Sequence, residues 1–86
     1  MLVATMGVNN RIADSKPFTE HVIEAMGKFS DKDWGDLCDE DRKANDQAVL
    51  DKSRVLASYG KGDDKIWIIK EAGRGTPVTI LFPSEY

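Results

Sequence analysis

The chain has 86 residues, 41% of them hydrophobic, and a net charge of −3. That size fits a single domain, residues 1–86, near the lower limit for a self-sufficient core, and the apolar content excludes a disordered chain. The acidic balance argues against direct nucleic-acid binding, which normally uses a basic face, and no apolar run approaches the roughly 20 residues of a membrane span.

Residues 1–14 show no clear periodicity. The opening MLVATMGVNN has no basic n-region and is too short for a signal peptide. MGVNN reads as a loop or turn, because Gly and paired Asn tolerate positive φ. The single Cys excludes an internal disulfide framework and points to a reducing compartment, so a cytoplasmic protein is expected. Ser15 to Pro17 looks like a helix start, since Pro suits the first turn. Phe18, Val22, Ala25, Met26 and Phe29 then recur at helical spacing, and Gly27 marks the region where that helix ends.

Asp31 to Asp36 reads as a polar turn, with Asp33 and Asp36 spaced as an N-cap and its third helical residue. A second helix is predicted over roughly Asp39 to Asp51, with Leu37, Asp41, Ala44 and Ala48 on one side. After it the period changes. SRVLASY, KIWIIKEA and PVTILF are rich in β-branched and aromatic residues and read as strands, separated by the turn sequences GKGDD and GRGTP. The expected fold is α+β: two N-terminal helices packed on a three-stranded antiparallel β-meander. Trp67, mid-strand among isoleucines, is expected to be mostly buried.

The chemistry-bearing stretch is DWGDLCDED, Asp33 to Asp41. Residues 31–41 hold six acids, Asp31, Asp33, Asp36, Asp39, Glu40 and Asp41, against one base, Lys32. Three readings stand. The acids cap the second helix and complement its dipole, each contributing roughly 0.3–1 kcal/mol, while Trp34 closes the core. Alternatively, His21 and Cys38 with Asp33 and Asp36 form a zinc site, imidazole and thiolate being the donors zinc prefers. The third reading is a partner-binding surface of Asp31, Asp33, Trp34, Asp36, Asp39, Glu40 and Asp41, in which carboxylates beside an exposed aromatic dock into a basic nucleic-acid channel.

Other chemistry finds no support. GKGDD lacks the long glycine-spaced loop of a P-loop. DKDWGD is no calcium loop, because Arg42 stands where the bidentate Glu belongs. One Cys and one His make no zinc-finger pattern, and nothing near them supplies an orienting or oxyanion group, so no enzyme is expected.

Three segments, DWGDLCDEDRKAND, RVLASY and KIWIIKEAGRGTPVTILFPSEY, together resemble a family of small proteins carried by phages, plasmids and conjugative elements. The matching positions are Asp33 to Asp36, Glu40, Asp41, Asn45, Arg54, Ser58, Tyr59, Trp67 to Ile69, Glu71, Ala72, Arg74, Phe82, Pro83, Glu85 and Tyr86, and ATMGV also fits. Lys70 and Gly73 depart from the family's Thr and Asp, and the turn from Gly73 to Pro77 is one residue longer. The mobile-element setting implies an accessory role such as inhibition of host defence. An anti-CRISPR protein is one such role: a monomer or weak dimer binding a type II RNA-guided effector through that effector's basic surface and blocking nucleic-acid loading. The alternative is a metal-dependent accessory enzyme or a structural mobile-element protein.

Overall fold

The computed structural model describes residues 2–73 and 75–86. The elements run β1 (Leu2–Ala4), α1 (Met6–Asp14), α2 (Lys16–Ser30), α3 (Asp39–Asp51), β2 (Val55–Tyr59), β3 (Ile66–Lys70) and β4 (Val78–Leu81), with short 3-10 turns at Gly62–Asp64 and Pro83–Glu85. The three expected strands form an antiparallel meander, with Ala57 opposite Ile68 and Ile68 opposite Ile80. A further strand extends it: β1 pairs parallel to β4, Leu2 opposite Val78, and the sheet order is β1-β4-β3-β2. The class is therefore α+β. The sheet is mixed and four-stranded rather than a three-stranded meander, and three helices replace the expected two.

The additional helix, α1, occupies the stretch that reads as loop. Thr5 caps it by accepting the Val8 N–H at 3.4 Å. Val8 is fully buried, and Ile12, one turn on, packs against the core. Ser15 caps α2 as expected, accepting from the Phe18 N–H at 3.3 Å, and Pro17 lies in the first turn. Phe18, Val22 and Ala25 are buried, with Met26 and Phe29 packed at the margin of the core. Gly27 falls in the last turn, and the helix continues to Ser30.

α3 has the predicted bounds but a different start. Its N-cap is Cys38, whose side chain makes no capping bond, and Asp39, Glu40 and Asp41 fill its first turn. Asp33 and Asp36 lie before the helix and do not cap it. The buried residues of α3 are Asn45 and Ala48. Ala44 and Asp41, expected on the inner side, are exposed.

Alternation along the strands decides the two sheet faces. Val55, Ala57, Tyr59, Ile66, Ile68 and Ile80 join the helices in one core. The other face carries Ser58 opposite Trp67 and Trp67 opposite Leu81. Trp67 lies on this face, largely though not fully buried as its mid-strand place predicts, and stacks edge-on against Tyr86, ring centres 5.6 Å apart.

Candidate functional site

DWGD is first a structural clasp on the outer edge of β2. An edge strand exposes unpaired N–H and C=O groups, and here residues 34–36 pair with them. Ser58 N–H donates to the Trp34 carbonyl at 3.3 Å, and Asp36 N–H donates to the Ser58 carbonyl at 2.8 Å. Further along the edge, buried Asn45 donates from Nδ2 to the Leu56 carbonyl at 2.8 Å. Gly35 makes the close approach possible. Its φ is +76°, and a Cβ there would meet the Ser58 carbonyl oxygen at 2.0 Å.

The side chains of the clasp are committed too. The Asp33 carboxylate accepts the Gly35 N–H at 3.1 Å, and the Asp33 carbonyl accepts the Tyr59 hydroxyl at 2.7 Å. Burial, with the nearby Asp33 charge, raises the Tyr59 pKa well above the ordinary phenol value. The Asp36 carboxylate accepts the Gly60 N–H at 3.0 Å. Arg42 turns back to the carbonyls of Gly35 and Leu37. Trp34 is buried, stacks edge-on against Phe29, and donates from Nε1 to Asp46 at 2.9 Å. An exposed Trp34 in a partner surface is therefore corrected: the clasp carries the indole into the core.

The remaining acids are free of such duties. Asp31, Asp39, Glu40 and Asp41 are exposed, and among the described residues none has an ion-pair or side-chain hydrogen-bond partner. The candidate partner surface thus divides: Asp33, Trp34 and Asp36 build the fold, and the other four carboxylates face solvent beside it.

The zinc set is only partly assembled. His21 and Asp36 line one small hollow on either side of Gly60, which Cys38 does not line. His21 Nε2 is 3.0 Å from the Asp64 carbonyl, and the two carboxylates hold backbone N–H groups. Cys38 is exposed. Among the described residues no three His, Cys, Asp or Glu side chains gather to hold a metal ion. The structure thus leaves His21, Cys38, Asp33 and Asp36 ungathered.

Two constellations have no counterpart in the local spacing of the sequence. On the outer face, Arg54 donates to the Tyr86 hydroxyl at 2.6 Å and pairs with Glu71 at 3.4 Å, beside Trp67. At the other site, the Glu85 carboxylate accepts the Thr5 hydroxyl at 2.7 Å, the Phe82 N–H at 2.9 Å and the Gly7 N–H at 3.2 Å. Burial alone would raise its pKa; the hydrogen bonds from Phe82, Thr5 and Gly7 outweigh that and hold it below the ordinary glutamate value. Contacts 78 and 80 residues apart in sequence leave no local pattern to read.

Neither a family model nor a solved structure matches the chain. A 54-residue stretch is 35% identical to part of the macrophage receptor MARCO of Mus musculus. The match covers 56% of this chain and 10% of the receptor, so the chain spans about a tenth of that protein's length. Among the described residues, no helix is long and apolar enough to cross a membrane.

Proposed function

We propose that the chain is a non-catalytic binding protein that inhibits a host defence nuclease complex, of the type II RNA-guided kind, by covering the basic surface on which nucleic acid is loaded. The observation that carries this reading is the set of surplus carboxylates. Asp31, Asp39, Glu40 and Asp41 are exposed beside the hydrogen-bonded clasp and unpaired among the described residues. Asp39, Glu40 and Asp41 also sit in the first turn of a 13-residue helix, so their backbone is fixed. RNA-guided nucleases hold the guide–target duplex in a positively charged channel, and carboxylates presented on a fixed backbone suit such a surface. The resemblance to small mobile-element proteins points the same way. Charges at an interface rim act mainly on association rate, through an attraction screened over about 8 Å at physiological salt.

The test is a plasmid-interference assay against a panel of type II effectors, with and without the protein. Protection of the targeted plasmid is expected. Neutralising the surplus acids together, with Asp39→Asn, Glu40→Gln and Asp41→Asn, is expected to slow association and weaken its salt dependence while the far-UV spectrum stays the same. No protection against any effector would remove the reading. Protection that survives the triple change would move the contact away from α3.

A further inference from the structure

A second surface feature has the opposite charge. Between α2, α3 and the helix-facing side of the sheet lies an open groove of about 460 Å³. Its floor is Trp34, Val55 and Ile68, and its walls include Met26, Phe29 and Val49. Two cations, Lys32 and Lys70, and one hydroxyl residue, Ser30, stand at this otherwise apolar lining. The volume and the lining, mostly apolar with a few polar groups, are those of a small-molecule site.

Lys70 indicates what such a site would take. It lies opposite both Val55 and Val78 in the sheet and is half-buried. Its ammonium donates to two neutral acceptors, the Gly73 carbonyl at 2.9 Å and the Thr76 hydroxyl at 3.2 Å. A lysine has three donors, so one remains. Among the described residues no carboxylate lies within ion-pair distance of Lys70 or Lys32. In a chain of net charge −3, two unpaired lysines on one apolar groove are a local reversal of sign.

We propose that this groove binds an amphipathic carboxylate: an apolar chain laid over Val55 and Ile68, with its head group on Lys70 and Lys32. The charge decides among apolar ligands. A neutral one would displace water from Lys70 without offering a counter-charge, which is unfavourable. A cationic one is repelled. A carboxylate accepts the free donor in a charge-assisted bond while its chain leaves water.

The experiment is calorimetric titration of the full chain with decanoate and decyltrimethylammonium below their micelle concentrations and with decanol below its solubility limit. Emission from Trp34 in a Trp67→Phe background gives a second readout at the groove floor. Saturable one-site binding of decanoate is expected, with decanol weaker by about fivefold, the upper range for one solvent-accessible ion pair, and no binding of the cation. Lys70→Met should narrow the preference for decanoate over decanol, leaving only the share that Lys32 supplies, and Lys70→Arg should restore it. Because Lys70 also bonds Gly73 and Thr76, Lys32→Asn is the independent variant. Its side chain makes no hydrogen bond among the described residues, and Asn tolerates its φ of +63°; it should lower decanoate affinity alone. Absent saturable decanoate binding, equal affinities for decanoate and decanol, or a preference unchanged in both Lys70→Met and Lys32→Asn would each overturn the proposal.

Discussion

Gly35 and Gly27 show how differently two glycines of this chain are constrained. At Gly35 a methyl group would collide with the Ser58 carbonyl in a left-handed backbone. Gly35→Ala is therefore expected to destabilise the protein by about 2–4 kcal/mol, read as a large fall in melting temperature. At Gly27, in the last turn of α2, a Cβ meets nothing within 4 Å. Gly27→Ala should stabilise by roughly 0.5–1 kcal/mol, because alanine loses less backbone entropy in a helix. A clasp variant that melts like the parent would show that residues 34–36 do not seal the edge of β2. The acids around Gly35 could not be sorted from the sequence. Asp36 serves Gly60, 24 residues away, so helix-cap spacing gave it a local role that it does not have. The metal set shows a related limit of spacing, since donor types are visible in a sequence and their other commitments are not. Among the described residues these donors do not gather around one point, and Asp33 and Asp36 already accept backbone N–H groups. A chelator should therefore leave the melting curve of tag-free protein unchanged; stoichiometric zinc in that protein would reverse this conclusion.

Elements with strong internal period were legible; those held by distant partners were not. α2, with its Ser15 cap and its Phe18, Val22 and Ala25 stripe, stands where its pattern predicts, and so do the three β-branched strands. β1 has three residues and takes its hydrogen bonds from β4. α1 contains Gly7, Asn9 and Asn10, poor helix formers, and buries only Val8. The Thr5 cap followed by Val8 and Ile12 was the available signal. What fixes α1 is tertiary: Arg11 pairs with Asp64 at 2.7 Å, and Glu85 closes over its first turn. The Glu85 clamp carries a pH dependence. Its carboxyl pKa is lower folded than unfolded, so its stabilisation is complete above the ordinary glutamate pKa and is lost as pH falls through the folded value. Glu85→Gln should lower the melting temperature at neutral pH, and the gap between variant and parent should close on acidification below the ordinary glutamate range. A gap that stays constant with pH would mean that the carboxylate charge plays no part. Gly7 belongs to the same device, since a Cβ there would lie 2.7 Å from the Glu85 Oε2.

At the scale of the whole molecule, the connections between distant segments argue for one cooperative unit. Thr5 N–H donates to the Ile80 carbonyl at 3.0 Å, Glu85 holds Thr5 and Gly7, and Gly73 N–H donates to the Lys52 carbonyl at 2.9 Å. The first strand, the turn after β3 and the end of α3 are thus tied to the same sheet. The α+β class was readable because its patterns are local, whereas the β1–β4 pairing joins segments too far apart for any period to reveal. The two tryptophans sample opposite sides of this unit. Trp34 is 4% exposed within the clasp, and Trp67 lies half-buried on the outer face against Tyr86. With Trp67→Phe and Trp34→Phe as single-tryptophan variants, Trp34 should emit at shorter wavelength than Trp67. Each probe should unfold in urea at the midpoint given by circular dichroism on the same variant, as small single domains usually do. Comparison within each variant matters, because removing either indole shifts stability by its own amount. If Trp34 loses its signal before the secondary structure of its own variant, the clasp opens as a separate unit, and the acidic helix beside it would then present its carboxylates from a mobile support rather than a fixed one.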